Sequence, residues 1–231
     1  MNNSQKLEQE KSVLRWGGLS GMLGGILLIA VMVFVSIFIP PDPADLAGWV
    51  KMFPDIKVIR LVENVTYLTA LILEVPLFLA LYHGLRKTSL APALFGSVLG
   101  ILGLVAMMVS SNPHVAHTSL ADLYHAPGAT PADQAAIALM WQAIWGMINM
   151  MLYVGFFIVP IGLIILGVGM LGTPSFGKGF GRASLVLGVV GLVAAVLQMA
   201  DPPSFVGVGS YFAGIIFYLV LGWKVYSLSR A

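Results

Sequence analysis

Six apolar stretches dominate this sequence of 231 residues, at about 16–39, 59–82, 91–111, 135–172, 183–200 and 205–226. Each is close to or longer than the roughly 20 residues that a helix needs to cross a hydrocarbon layer about 30 Å thick. Backbone N–H and C=O groups find no water in that layer, and a helix satisfies them within the segment itself. The expected fold is therefore all-α: a polytopic membrane helix bundle with six transmembrane helices, forming a single integral membrane domain over residues 1–231. Composition agrees, because 58% of residues are hydrophobic and 10% charged, against about 25% charged in soluble domains.

The first run follows Lys6, Lys11 and Arg15 and extends for 24 residues from Trp16 to Ile39. A secretory core is only about 7 to 15 residues, so this run reads as a retained helix. Nothing between Ala135 and Gly172 is polar enough to turn the chain, and the fourth run reads as one long helix bent near Pro160, whose ring removes a backbone bond.

Basic residues recur in alternate connections: Lys6, Lys11 and Arg15, then Arg86 and Lys87, then Lys178 and Arg182, and finally Lys224 and Arg230. By the positive-inside rule these segments are cytoplasmic, which puts both termini inside and the chain in the plasma (inner) membrane. Lys51 and Lys57 in the first external loop run against the rule. Trp16, Tyr82, Trp223 and Tyr226 fall at the inner boundary and Trp49, Trp141 and Trp145 toward the outer one, as an aromatic belt requires.

Helix-start chemistry recurs in the external loops. Asp42-Pro43 and Asn112-Pro113 place a capping side chain before a proline, and Thr130-Pro131-Ala132-Asp133 resembles a capping box. The spacing predicts surface helices at about 43–52 and 113–125. In the first of them Leu46, Trp49, Val50 and Phe53 share a face suited to lipid headgroups.

Several function classes drop out. A net charge of +2 without a basic block argues against nucleic acid as a partner, and with no cysteine there can be no disulfide, thiolate metal site or cysteine nucleophile. No GxSxG, P-loop or GxGxxG precedes a helix, so catalysis of the soluble type has no support and no cofactor is indicated.

Ionisable groups inside a bilayer are costly and point to function. Glu63 and Glu74 lie eleven residues apart, about three helical turns, with Tyr67 on the same stripe; Gln142, Asn149 and Tyr153 form a second stripe on the fourth helix. The two stripes predict a polar, outward-facing cavity for a small or lipophilic ligand, with Glu63 near its mouth and Glu74 deeper, facing the bundle interior. The simpler alternative for Glu63 is an ion pair with Arg60, one turn away. An accessory role in a membrane complex would leave the same pattern.

His114, His117 and His125, with Asp122, would share one side of a helix over 113–125, a conceivable surface zinc site, although the spacing matches no zinc signature and solvated loop histidines are the plainer reading. Met107, Met108, Met140, Met147, Met150 and Met151 lie close by in sequence and read as packing residues more readily than as copper ligands. Small residues at four-residue spacing, Gly17, Gly21 and Gly25 on the first helix and Gly96 and Gly100 on the third, let helices approach closely, either within the bundle or between subunits of a homo-oligomer.

A glycine-rich first helix after a basic residue (Arg15 to Leu28), the sequence Ala80-Leu81-Tyr82-His83-Gly84-Leu85-Arg86 and the stretch Phe157 to Leu171 before a Gly-rich fifth helix together resemble the bacterial and archaeal membrane family called domain of unknown function 4386. The resemblance implies a six-helix fold and carries no site residues. As the enzyme alternative, a metal-dependent membrane hydrolase is similar in general layout to the alkaline-ceramidase-like proteins. Those proteins look like seven-helix chains with a helical HxxxH, which is missing here.

Overall fold

A computed structural model describes residues 3–40, 43, 45–111, 114–200 and 208–230. Among them are seven helices: α1 (Asn3–Phe38), α2 (Gly48–Leu85), α3 (Leu90–Ser110), α4 (His114–Tyr124), α5 (Pro131–Leu171), α6 (Gly177–Ala200) and α7 (Val208–Leu228). All but α4 are long and apolar enough to cross a membrane, six candidate spans in total. This is the helix bundle that the apolar runs require.

The six long helices close a ring. Chain neighbours pack α1 on α2, α2 on α3, α5 on α6 and α6 on α7; α3 packs on α5 and α7 returns to α1, while the short α4 sits against α2 and α5. Between apolar helices in lipid the hydrophobic effect gives no attraction, so association rests on close van der Waals packing and interhelical hydrogen bonds. The glycines supply the close packing. A Cβ on Gly162 of α5 would stand 2.7 Å from the Gly96 carbonyl oxygen and 2.8 Å from the Gly100 nitrogen, so α3 and α5 meet backbone to backbone. Gly17 and Gly21 face Pro76, Leu77 and Ala80 of α2, and Gly25 faces Leu219 of α7. The small-residue face of α1 is thus occupied inside the chain.

Serine hydroxyls supply the hydrogen bonds. Ser184 of α6 donates to the Leu163 carbonyl at 2.7 Å. Pro160 has no N–H to offer the carbonyl of Phe156, and Ser210 of α7 donates to that oxygen at 3.4 Å. This is the usual remedy for a proline inside a membrane helix.

The long fourth run is one helix, and its capping box is present: the Asp133 N–H donates to the Thr130 hydroxyl at 3.2 Å and the Thr130 N–H to the Asp133 carboxylate at 3.0 Å. α4 matches the surface helix expected at 113–125; its proposed cap, Asn112-Pro113, lies outside the described residues, as does Asp42.

Two expectations need correction. The segment 43–52 is not a separate helix on the headgroups, because helix formation begins at Gly48 and continues through Pro54 into α2. Val50 and Phe53 are buried against α4 and α5 in a small second core with Leu120, Tyr124, Ala138 and Trp141. That contact outweighs headgroup contact because it removes the same side chains completely from water. The first helix also begins at Asn3, well before the apolar run, since Gln5, Lys6, Leu7, Glu8 and Lys11 are all good helix formers.

Candidate functional site

The second core lies beyond the end of the bundle opposite Lys87, Lys178 and Lys224, and the main core fills the rest of the ring around Phe78, Leu81, Leu166 and Phe217. Between the two cores is a cavity of about 360 Å³, within the size range of small-molecule sites. The outer half of α1, beyond Gly25, carries no glycine of the kind that draws α1 onto α2 and α7 lower down.

One face of α2 supplies Trp49, Phe53, Arg60, Glu63, Asn64 and Tyr67, at helical spacing. α5 faces it with Trp141, Trp145, Asn149 and Phe156; α4 adds His117, α6 adds Gln198 and α7 adds Tyr211. The aromatic rings are paired. His117 stacks on Trp141 with centroids 4.0 Å apart, Trp49 on Trp145 at 6.4 Å and Tyr67 on Tyr211 at 6.4 Å.

Arg60 donates to the Glu63 carboxylate at 2.9 Å, with 15% and 17% of the two side chains exposed. Its guanidinium lies 5.0 Å from the Trp49 ring and 6.0 Å from that of Trp145. The pair is neutral as a unit and is held by aromatic faces, to which a flat delocalised cation is suited. Two buried polar atoms of the wall, the Tyr67 hydroxyl and the Gln198 side-chain carbonyl, have no hydrogen-bond partner among the described residues.

Of the six residues expected to bind ligand, the structure brings together Glu63, Tyr67 and Asn149. Gln142 instead lies at the outer surface and donates to the Leu46 carbonyl at 3.3 Å, while Tyr153 packs against the main core. Glu74 is fully buried and faces the interior, but it lies below the cavity, about 10 Å deeper than Tyr67 along the helix axis. Its carboxylate is turned to α1, where Gly24 leaves just enough room for it and the Ser20 hydroxyl donates to the neighbouring Leu73 carbonyl. The polar stripe of α2 therefore continues past the point where α1 closes over it.

Both Glu74 oxygens are without hydrogen-bond partners among the described residues. Glu74→Gln, which preserves shape, is accordingly expected to melt within about 1 kcal/mol of the parent protein and to leave ligand binding in the cavity unchanged. A cost of several kcal/mol in a thermal melt would mean that the carboxyl group holds a partner important to the fold.

Among the described residues the expected histidine cluster does not come together. His117 is buried in the cavity wall, whereas Asp122 and His125 are exposed, His125 packing its ring on Tyr124. Among the described residues no group of three or more His, Asp or Glu could hold a metal ion; the side chain of His114 lies outside them. Stacking on Trp141 holds His117 inward, away from the exposed Asp122 and His125. Met140, Met147, Met150 and Met151 are exposed on the outside of α5.

Sequence reasoning missed Arg60 and Tyr211 as wall residues and assigned Trp49, Trp141 and Trp145 to an aromatic belt at the outer boundary. Trp141 is only 3% exposed. The available signal was the run of aromatic residues at helical spacing on two helices that both begin outside the apolar layer.

Fold and site together define a multi-pass membrane helix bundle with an amphipathic cavity near one end. Comparison with protein-family models, with curated proteins and with solved structures returns no match.

Proposed function

We propose that the chain is a plasma-membrane protein with both termini in the cytoplasm, and that it binds or passes a small or lipophilic ligand through this cavity, which then opens to the outside. The cavity itself carries the reading: a mostly apolar wall rich in aromatic rings, one neutral ion pair and two polar atoms that have no partner among the described residues. The clustering of basic residues at the opposite end supports the orientation.

The absence of cysteine makes a direct test possible. Asn149→Cys places a thiol in the cavity and Lys178→Cys places one on the opposite, exposed end. With a membrane-impermeant maleimide added to intact cells, the first is expected to be labelled and the second only after lysis. The reverse pattern would overturn the orientation. An Asn149→Cys thiol that stays unlabelled on intact and on lysed cells would overturn access to the cavity.

A further inference from the structure

We infer that the cavity is built for an uncharged ligand that combines a flat ring system with a hydroxyl group, an assignment that rests on the ligand-binding reading above. Three features of the wall lead to it.

The first is charge. Among the described residues lining the cavity, Arg60 and Glu63 are the only Asp, Glu, Lys or Arg, and they neutralise each other at 2.9 Å. A charged ligand, of either sign, would find no free counter-charge among the described wall residues, and would either lose its water uncompensated or divide this pair. The second is shape. Three ring stacks in the wall, His117 on Trp141, Trp49 on Trp145 and Tyr67 on Tyr211, present flat faces and edges that suit offset or edge-on contact with another ring.

The third feature is the two wall atoms that lack a hydrogen-bond partner among the described residues. The Gln198 carbonyl can only accept a hydrogen bond, while the Tyr67 hydroxyl can donate one. A ligand hydroxyl answers both, donating to Gln198 and accepting from Tyr67. A ketone or an ether could serve Tyr67 alone, and a pure hydrocarbon neither. Burying such groups unpaired weakens binding by about tenfold for each bond left unmade.

Four probes of one ring system separate these features: naphthalene, 2-naphthol, 2-naphthoate and trimethyl-2-naphthylammonium, each added to the full chain in lipid nanodiscs and read by the shift in melting temperature. A ligand that binds only the folded state raises that temperature in step with its affinity. The expected order is naphthol well above naphthalene, by about tenfold or more in affinity, with no shift from either ion. Tyr67→Phe retains the ring and removes one of the two hydrogen-bond partners, and is expected to narrow the gap between naphthol and naphthalene by about tenfold, with the Gln198 bond still made.

Equal affinity for naphthol and naphthalene in the parent protein, or an ion that binds as well as naphthol, would overturn the ligand class and leave the cavity reading standing. Shifts that persist in Asn149→Trp, where an indole occupies the cavity, would report partition into lipid and overturn the class as well. If none of the four probes shifts the melt, the cavity reading itself falls.

Discussion

Gly162→Ala is expected to be among the most damaging small substitutions in the protein. The added methyl would stand 2.7 Å from one backbone atom of α3 and 2.8 Å from another, and neither belongs to a side chain that could swing away. α3 and α5 would have to separate along their crossing, where Gly103 and Gly155 form a second close approach one heptad away on each helix. Separated helices in lipid lose dispersion contacts, and no hydrophobic force compensates. The expected cost is about 3 kcal/mol, the upper part of the usual range for overpacking. Gly146→Ala provides the control on the same helix: an added Cβ there meets nothing within 4 Å, and the change should be neutral or stabilise by up to about 1 kcal/mol through helix propensity. Thermal or detergent-induced unfolding of both variants measures the difference, and a Gly162→Ala protein that unfolds like Gly146→Ala would show that the two helices do not meet here.

Arg60→Ala should have the largest effect of any polar change. It leaves the Glu63 carboxylate, 17% exposed, with its counter-ion gone, and it removes the cation from the Trp49 and Trp145 faces. Removing one member of a largely buried pair costs about 3 kcal/mol, mainly because of the charge left behind. The double variant Arg60→Ala/Glu63→Gln removes that charge and is expected to recover most of the loss, so a double-mutant cycle should give a coupling energy of about 1 to 3 kcal/mol. Arg60→Lys is expected to fall between, since an ammonium retains the charge but has no plane to lay on an indole. A double variant no more stable than Arg60→Ala would show that the pair is solvated and contributes little, as exposed pairs usually do.

Different parts of this architecture become legible at different levels. The number of spans, the single long helix from Pro131 to Leu171, its capping box at Thr130 and Asp133 and the short helix α4 could all be read from the chain, because each depends on residues within a few turns of one another. An apolar run longer than the bilayer is thick has one cheap conformation in lipid, whatever its neighbours do. The burial of Glu74 away from lipid was legible for the same reason, as was the pairing of Glu63 with Arg60 one turn away.

What the ring of helices does with those residues was decided by tertiary packing alone. Glu63, Tyr67 and Glu74 share a stripe on α2, yet only the first two reach the cavity, because Gly24 lets α1 close over the third. Gln142 and Asn149 share a stripe on α5, yet one meets Leu46 at the surface and the other lines the cavity. Trp141 could have belonged to an aromatic belt at the outer boundary until α4 brought His117 against it. Helical periodicity determines which side chains point the same way. Which of them meet a neighbour, a space or the lipid depends on where helices far apart in sequence come together, and that is set by glycine contacts whose partners no local pattern identifies.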